Sequence, residues 1–227
     1  MQPIGPKLAE GRDSEIYEHG PGRVLRLARD GRNLVGEAEV MTYVRSHGYP
    51  CPEVFDAGDG YLVMERLSGP TLLSYAMPRH IRRSATVLAA LHEQLHAIPA
   101  PDWLPVASVP GDALVHRDLH PLNVLMTPDG PVVIDWANAA RGDPSYDVAD
   151  TWVVFACAEA SDLPPHERLL APLARRWFLA TFLGALDRDA AWRAVPAVVE
   201  HRRLDRNMSP GEIARMDVLA DRARAAL

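Results

Sequence analysis

The run His116-Arg117-Asp118-Leu119-His120-Pro121-Leu122-Asn123, followed by Val132-Val133-Ile134-Asp135, presents a carboxylate, a carboxamide five residues later, and a second carboxylate closing a short β-branched segment. Such groups suit chemistry at a phosphoryl centre. A carboxylate can orient an attacking hydroxyl, and hard oxygen ligands can hold magnesium on a nucleoside triphosphate, where catalysis is mostly positioning and charge neutralisation.

The oxygens act together only if the chain brings them together. Val124-Leu125-Met126 and Val132-Val133-Ile134 flank the turn formers Thr127-Pro128-Asp129-Gly130-Pro131, which predicts a β-hairpin. A loop centred near Asp129 sets Asn123 opposite Asp135, with Cα atoms roughly 4.5–5.5 Å apart. A slip of one residue sends the two side chains to opposite faces.

Composition narrows the class. The chain has 227 residues, 48% hydrophobic and 24% charged, the profile of a soluble globular protein of one large or two small domains. The start, Met1-Gln2-Pro3-Ile4-Gly5-Pro6-Lys7, lacks the basic opening and apolar run of a signal peptide. No segment approaches the roughly 20 apolar residues of a membrane span, so a cytoplasmic location without a membrane partner is expected. Cys51 and Cys157 have no second ligand at metal spacing and read as neutral thiols. A net charge of -6 argues against a nucleic-acid partner and favours a small molecule.

Along the chain, residues from Leu8 to Val63 read as a small, mostly β unit with one helix. Ile16-Tyr17 and Val24-Leu25-Arg26-Leu27 flank His19-Gly20-Pro21-Gly22, a hairpin signal. Ala9-Glu10-Gly11-Arg12-Asp13-Ser14 before it is either a loop over phosphates or an ordinary polar turn. From Leu34 to Arg45, Val40, Met41 and Val44 recur at helical spacing, and Glu37 stands at the edge of that face. It is a solvated first-turn glutamate unless a cation on the hairpin reaches it. A second hairpin, Glu53 to Met64, precedes Glu65-Arg66-Leu67-Ser68-Gly69-Pro70. The expected organisation is an N-terminal lobe over 1–64, a hinge over 65–70 and a C-terminal lobe over 71–227.

The second part turns helical. Arg79–Ile98 is amphipathic, with Ile81, Leu88, Leu91, Leu95 and Ile98 inward, and His92 and His96 read as packing or hydrogen-bonding residues rather than metal ligands. Pro99–Gly111 is a surface connection, and Asp143 to Asp150 leads into a helix. Arg168–Leu186 carries Leu169, Leu173, Trp177, Phe178, Phe182, Leu183 and Leu186 as core. The basic run His201-Arg202-Arg203-Leu204-Asp205-Arg206 reads as a solvated face. Ser209-Pro210-Gly211-Glu212 has capping-box form, and Ile213, Met216, Leu219 and Leu227 give the last helix its stripe.

The pattern His116-x-Asp118-Leu119-His120-Pro121-x-Asn123-Val124-Leu125, followed by Ile134-Asp135-Trp136, resembles the catalytic region of the aminoglycoside phosphotransferase and choline kinase group. Asp-Trp in place of the protein kinases' Asp-Phe-Gly is similar to the bacterial small-molecule branch. Gly142-Asp143-Pro144 and Asp147-Val148-Ala149 extend the resemblance, which runs from about Leu8 to Asp150. It implies an α+β, bilobal protein-kinase-like fold, with a small β-rich N-lobe and a larger, mainly helical C-lobe. It further implies magnesium-dependent transfer of the γ-phosphoryl group of ATP, or GTP, to a hydroxyl of a small molecule.

Carried over by residue, the resemblance makes Asp118 the catalytic residue that orients the acceptor hydroxyl, and Asn123 and Asp135 the magnesium ligands, with His116 anchoring the loop. Gly11 and Ser14 match the loop above the phosphates, and Met64, Glu65 and Arg66 match the hinge whose backbone meets adenine. The family's phosphate-binding lysine, which pairs with a helix glutamate, is Arg26 here, with Glu37 as its partner. Arginine is a planar fork where lysine is a compact point charge, so weakened nucleotide binding, shifted phosphate geometry and lost activity are all open. A non-catalytic nucleotide-binding module is the competing class. A protein kinase is disfavoured by the lack of an Ala-Pro-Glu-like segment after Asp135. Asp150, Glu159, Asp162, Glu167, Asp187 and Asp189 either line a site for a cationic acceptor or lie on helix surfaces.

Overall fold

In the computed structural model, residues 4–11, 13–76, 80–159, 165–205 and 208–226 are described, apart from the side chains of 165–167 and 169. Short alternating segments open the chain as strands β1 (Lys7–Glu10), β2 (Ser14–Glu18) and β3 (Arg23–Ala28), followed by helix α1 (Val35–Ser46) and strands β4 (Val54–Gly58) and β5 (Tyr61–Glu65). Helices α2 (Leu72–Ala76) and α3 (Ile81–His96) come next, then the short strands β6 (Ala113–Val115), β7 (Val124–Thr127), β8 (Gly130–Val133) and β9 (Ala140–Gly142). Four helices complete the described chain: α4 (Ser145–Cys157), α5 (Pro165–Gly184), α6 (Arg188–Arg202) and α7 (Pro210–Ala225). None is long and apolar enough to cross a membrane among the described residues.

The chain divides into two compact units, one comprising the segment up to Pro70 with Val124–Ala139, the other Thr71–Asn123 with the segment from Ala140. In the first, β1 to β5 form an antiparallel five-stranded sheet in the order β1-β2-β3-β5-β4. Gly20 and Gly22, at φ 78° and 68°, supply the left-handed residues of the β2–β3 turn. Val24, Leu25 and Arg26 in β3 are all buried, so this central strand is covered on both faces. The buried side of α1 is Glu37, Ala38, Val40, Met41 and Val44.

The hairpin of β7 and β8 corrects two expectations. Its register pairs Val124 with Val133 and Thr127 with Gly130 around the two-residue turn Pro128-Asp129, one residue away from the loop centred on Asp129. Thr127 closes that turn: its Oγ1 accepts from the Asp129 amide at 3.2 Å and donates to the Gly130 carbonyl at 2.9 Å. The ladder therefore does not set Asn123 opposite Asp135.

The same hairpin, expected in the C-terminal lobe, groups with the first unit. Its backbone explains why. The Met126 amide donates to the Pro70 carbonyl at 2.8 Å and the Val133 amide to the Pro50 carbonyl at 2.9 Å. Gly69, at φ 152°, lies so close that a Cβ there would stand 2.1 Å from the Met126 carbonyl oxygen. Trp136 is buried, donates Nε1–H to the Val133 carbonyl at 3.1 Å, and meets Tyr49 edge-on at 5.6 Å.

In the second unit α3 packs on α5, and α4 on α6 and α7. The capping box at Ser209 forms as expected, with the Glu212 amide donating to Ser209 Oγ at 3.1 Å and the Ser209 amide to Glu212 Oε2 at 2.9 Å. On α5, Phe178, Phe182 and Leu183 are core, but Leu173 and Trp177 are exposed on another side, where the Arg82 guanidinium lies 5.7 Å from the Trp177 ring. Helix α6 adds to the expected elements and accommodates Pro196 in its interior, a residue that removes one backbone donor there. Arg12, Arg79, Asp162, Arg206 and Leu227, and the side chains of Glu167 and Leu169, lie outside the described residues. Both cysteines are buried and free, and burial raises the Cys157 thiol to about 11.

Candidate active site

The first unit holds a buried cation. Arg26 sits in the middle of β3, paired with Ile16 on β2 and Leu62 on β5, and donates Nη1–H to Glu37 Oε1 at 2.6 Å. The cation that decides the role of Glu37 is therefore present. Arg26 Nη2 lies 3.9 Å from Asp135 Oδ1. Burial opposes the guanidinium charge, but Glu37 and then Asp135 outweigh it and raise the group above its ordinary value. Arg26 Nε and Glu37 Oε2 are buried with no hydrogen-bond partner among the described residues, an arrangement that costs free energy until a polar group fills it.

Asp135 is half-exposed and has φ 66°, one of two positive-φ non-glycine residues described; the other is Arg117, at 64°. Left-handed backbone at non-glycine residues is uncommon and clusters at functional sites. Of the remaining residues expected at the nucleotide, Gly11 donates its amide to the Ser14 carbonyl at 2.8 Å across the β1–β2 turn. A Cβ on Gly11 would make ordinary contact with Ser14, so sterics do not demand glycine here. Met64 and Glu65 belong to β5. The Glu65 amide donates to the Glu53 carbonyl at 2.8 Å and the Arg66 amide to the Gly22 carbonyl at 2.9 Å.

The second unit holds the loop with Asp118. Asp147, near the start of α4, is fully buried and accepts from the His116 amide at 2.8 Å and the Arg117 amide at 2.7 Å. His96 Nε2 lies 3.1 Å from the same carboxylate. Burial opposes ionisation of Asp147, but His96, His92 and the His116 amide together hold it below the usual carboxylate range. Thr151 on α4 donates to the Leu119 carbonyl at 2.6 Å and is 3.3 Å from His92 Nε2, while His92 Nδ1 is 2.9 Å from the Leu88 carbonyl. His92 is thus a hydrogen-bonding residue behind the loop, and burial lowers it to about 4.

Asn123 closes the loop, donating Nδ2–H to the Asp118 carbonyl at 2.9 Å and to Asp118 Oδ2 at 3.0 Å. On the other side, Asp118 Oδ1 accepts from Arg202 Nη2 at 2.5 Å and lies 3.3 Å from His120 Nε2. Burial raises Asp118, but His120 and Arg202 outweigh it and hold the carboxyl well below its ordinary range. Arg202 also grips Asp150 through Nε at 2.7 Å and Nη2 at 2.5 Å. Burial raises the Asp150 carboxyl, with Arg202 opposing.

These contacts overturn two readings. Arg202 is buried rather than part of a solvated basic face, because Ala191, Ala194, Val195, Val198, Val199 and Arg202 recur at helical spacing on the inner side of α6. That spacing is the signal that would have found it. Asp150 is fully buried against Arg202 and does not line an acceptor site. Glu159 pairs with Arg215 at 3.1 Å and Asp187 caps α6 through the Ala190 amide at 2.9 Å. The role of Asp147 was missed as well, although Asp147-Val148-Ala149 belonged to the recognised pattern.

The sequence model of the phosphotransferase enzyme family matches residues 6–111 and 107–198. No curated protein matches. Among solved structures, aminoglycoside phosphotransferase APH(4)-Ia aligns with a TM-score of 0.63 at 18% identity, over 99% of this chain and 94% of that one. A choline/ethanolamine kinase family protein from Mesorhizobium loti aligns with a TM-score of 0.60 at 16% identity, over 97% and 87% of the two chains. Amicoumacin kinase hAmiN, solved with AMP-PNP, Ca²⁺ and Ami, aligns with a TM-score of 0.55 at 14% identity, over 98% and 88%. The shared fold is the protein-kinase-like one, with a β-sheet N-terminal region and a helical C-terminal region.

Proposed function

Because the chain belongs to the phosphotransferase enzyme family, we propose that it moves the γ-phosphoryl group of ATP, or GTP, to a hydroxyl of a small molecule with magnesium as cofactor. The observation that carries this reading is Asp118, an ionised side chain held by Arg202 and Asn123 on a loop whose backbone is pinned by buried Asp147. A carboxylate so held can accept a hydrogen bond from the acceptor hydroxyl and aim its oxygen at phosphorus.

Asn123 and Asp135 are assigned as the metal ligands. The donor set fits: the Asn123 amide nitrogen is spent on Asp118, which leaves its oxygen, and Asp135 offers a half-exposed carboxylate. When bound, magnesium neutralises charge on the phosphates. In the same reading Arg26 meets the phosphates with Glu37 fixing its direction, Gly11 and Ser14 cover them, and Met64, Glu65 and Arg66 form the edge that meets the base. The acceptor is an aminoglycoside-like antibiotic or a metabolite; hygromycin B, bound to APH(4)-Ia in one of its structures, belongs in the test panel. A second reading, nucleotide binding without turnover, draws on arginine at the lysine position and on the ion pair between Arg202 and Asp118.

Phosphate transfer from Mg-ATP and Mg-GTP to amino sugars, macrolides, choline-like alcohols and sugars tests the proposal, with Asp118→Ala and Asp135→Ala as controls. Asp118→Ala should abolish transfer and keep nucleotide affinity, whereas Asp135→Ala should remove magnesium-dependent nucleotide binding. Absence of both transfer and any nucleotide-dependent thermal shift in the unmodified protein sinks the reading. Nucleotide binding without turnover, unchanged in Asp118→Asn, favours the second one.

A further inference from the structure

We propose that Arg202 is a positioning residue for phosphoryl transfer: it occupies Oδ1 of Asp118, so that the acceptor hydroxyl is received at Oδ2. The inference rests on the reading of Asp118 as the residue that meets the acceptor. Its basis is how the donors are divided between the two oxygens. Oδ1 takes Arg202 Nη2 at 2.5 Å and faces His120 Nε2 at 3.3 Å, whereas Oδ2 takes a single side-chain donor, Asn123 Nδ2, at 3.0 Å, among the described residues. Oδ1 is thus engaged by the charged guanidinium and crowded by the His120 imidazole, whereas Oδ2, with one neutral amide donor, retains an in-plane lone pair for an O–H donor.

Arg202 is itself held from behind. Its Nε and Nη2 meet the two oxygens of Asp150, a fully buried carboxylate on α4, and the same Nη2 reaches forward to Asp118. One nitrogen bridging two carboxylates while its neighbour anchors the group requires the fixed fork of a guanidinium. Lysine keeps the charge but, as a point donor on a flexible stem, does not reproduce that bridge. The preceding residue, His201, lies 2.6 Å from Arg117 Nη2 through its Nε2, so the last turn of α6 engages two consecutive residues of the loop. A plain packing role for Arg202 needs only the contact with Asp150. The forward contact to Asp118 is the feature that packing leaves unexplained.

The test uses the full chain, Mg-ATP, and whichever panel alcohol gives the highest turnover, with ATP hydrolysis, in which water is the acceptor, followed in parallel. In Arg202→Lys, kcat should fall roughly a hundredfold, the loss typical of a displaced reacting group, while the KM for ATP and the nucleotide-dependent thermal shift stay unchanged. Asp150→Asn, which leaves Arg202 in place but loosens its anchor, should show the same split to a smaller degree. Folded Arg202→Lys with undiminished kcat overturns the proposal. So does a drop confined to thermal stability.

A crystal structure of the unmodified protein with AMP-PNP and that alcohol gives a readout independent of whether the variants fold. An acceptor hydroxyl on Oδ2 with Arg202 still on Oδ1 supports the assignment, and a hydroxyl on Oδ1 with Arg202 displaced overturns it. Failure of the functional reading looks different. There the unmodified protein is itself inert towards every acceptor, and the premise falls before Arg202 is reached.

Discussion

Arg26 and Glu37 form a buried ion pair, 2.6 Å between Nη1 and Oε1, with the second guanidinium nitrogen 3.9 Å from Asp135. The arginine thus keeps the partner expected of a lysine and reaches a second carboxylate besides. Arg26→Lys surrenders one of the two directions, and losing one charge-assisted interaction should weaken nucleotide affinity roughly tenfold in a binding titration. Tighter binding or raised turnover would instead mark the arginine as a defect. Glu37→Gln leaves a buried guanidinium short of its counter-charge and should cost about 3 kcal/mol in urea unfolding.

The carboxylate of Asp147 serves the Asp118 loop in the way a clamp does, taking the amides of His116 and Arg117 on separate oxygens. Asp147→Asn keeps one acceptor and turns the other into a donor facing a buried amide. Unfolding free energy should drop by about 2 kcal/mol, and turnover should fall with little change in nucleotide KM. Equal losses in kcat and in nucleotide affinity would argue against a clamp local to the loop.

The His92 imidazole gives stability a pH dependence whose sign follows from burial. Its folded-state value of about 4 lies below the ordinary 6.5, so between those limits the unfolded chain binds the extra proton. The contribution is complete above pH 6.5 and is lost as pH falls towards 4. Below that it falls no further. Urea midpoints measured across this range should decline with acidification, by up to about 3 kcal/mol from this residue, and the decline should flatten in His92→Gln. A variant with an unchanged slope would assign the effect to other groups.

At Gly69 the backbone runs against β7, and a Cβ would meet the Met126 carbonyl oxygen at 2.1 Å. Nothing flexible is there to yield. Gly69→Ala should therefore weaken the docking of the β7–β8 hairpin, cost about 2 kcal/mol or more, and speed hydrogen exchange at the Met126 amide, which donates to Pro70. Exchange unchanged at Met126 would contradict this account of what ties the hairpin to the first unit.

What was legible in the sequence was local. Asp118 and Asn123 lie five residues apart in one loop, and the structure joins them by a hydrogen bond of 3.0 Å; Ser209 and Glu212, one helical turn apart, form their capping box. Groups this near in sequence meet through a few backbone angles, which residue type strongly biases. The register of β7 and β8 was one residue beyond that reach, because whether the turn closes on two residues or three depends on the Thr127 hydroxyl as well as on the apolar runs. Arg202 was further still. It meets Asp118 across 84 residues, through a helix that contains a proline and lies against α4. Sequence alone could set the types and spacing of Asp118 and Asn123, since those are properties of one loop. That a guanidinium takes Oδ1 of Asp118 was decided by tertiary packing, because Arg202 arrives only when two helices distant in sequence bury their apolar faces against each other.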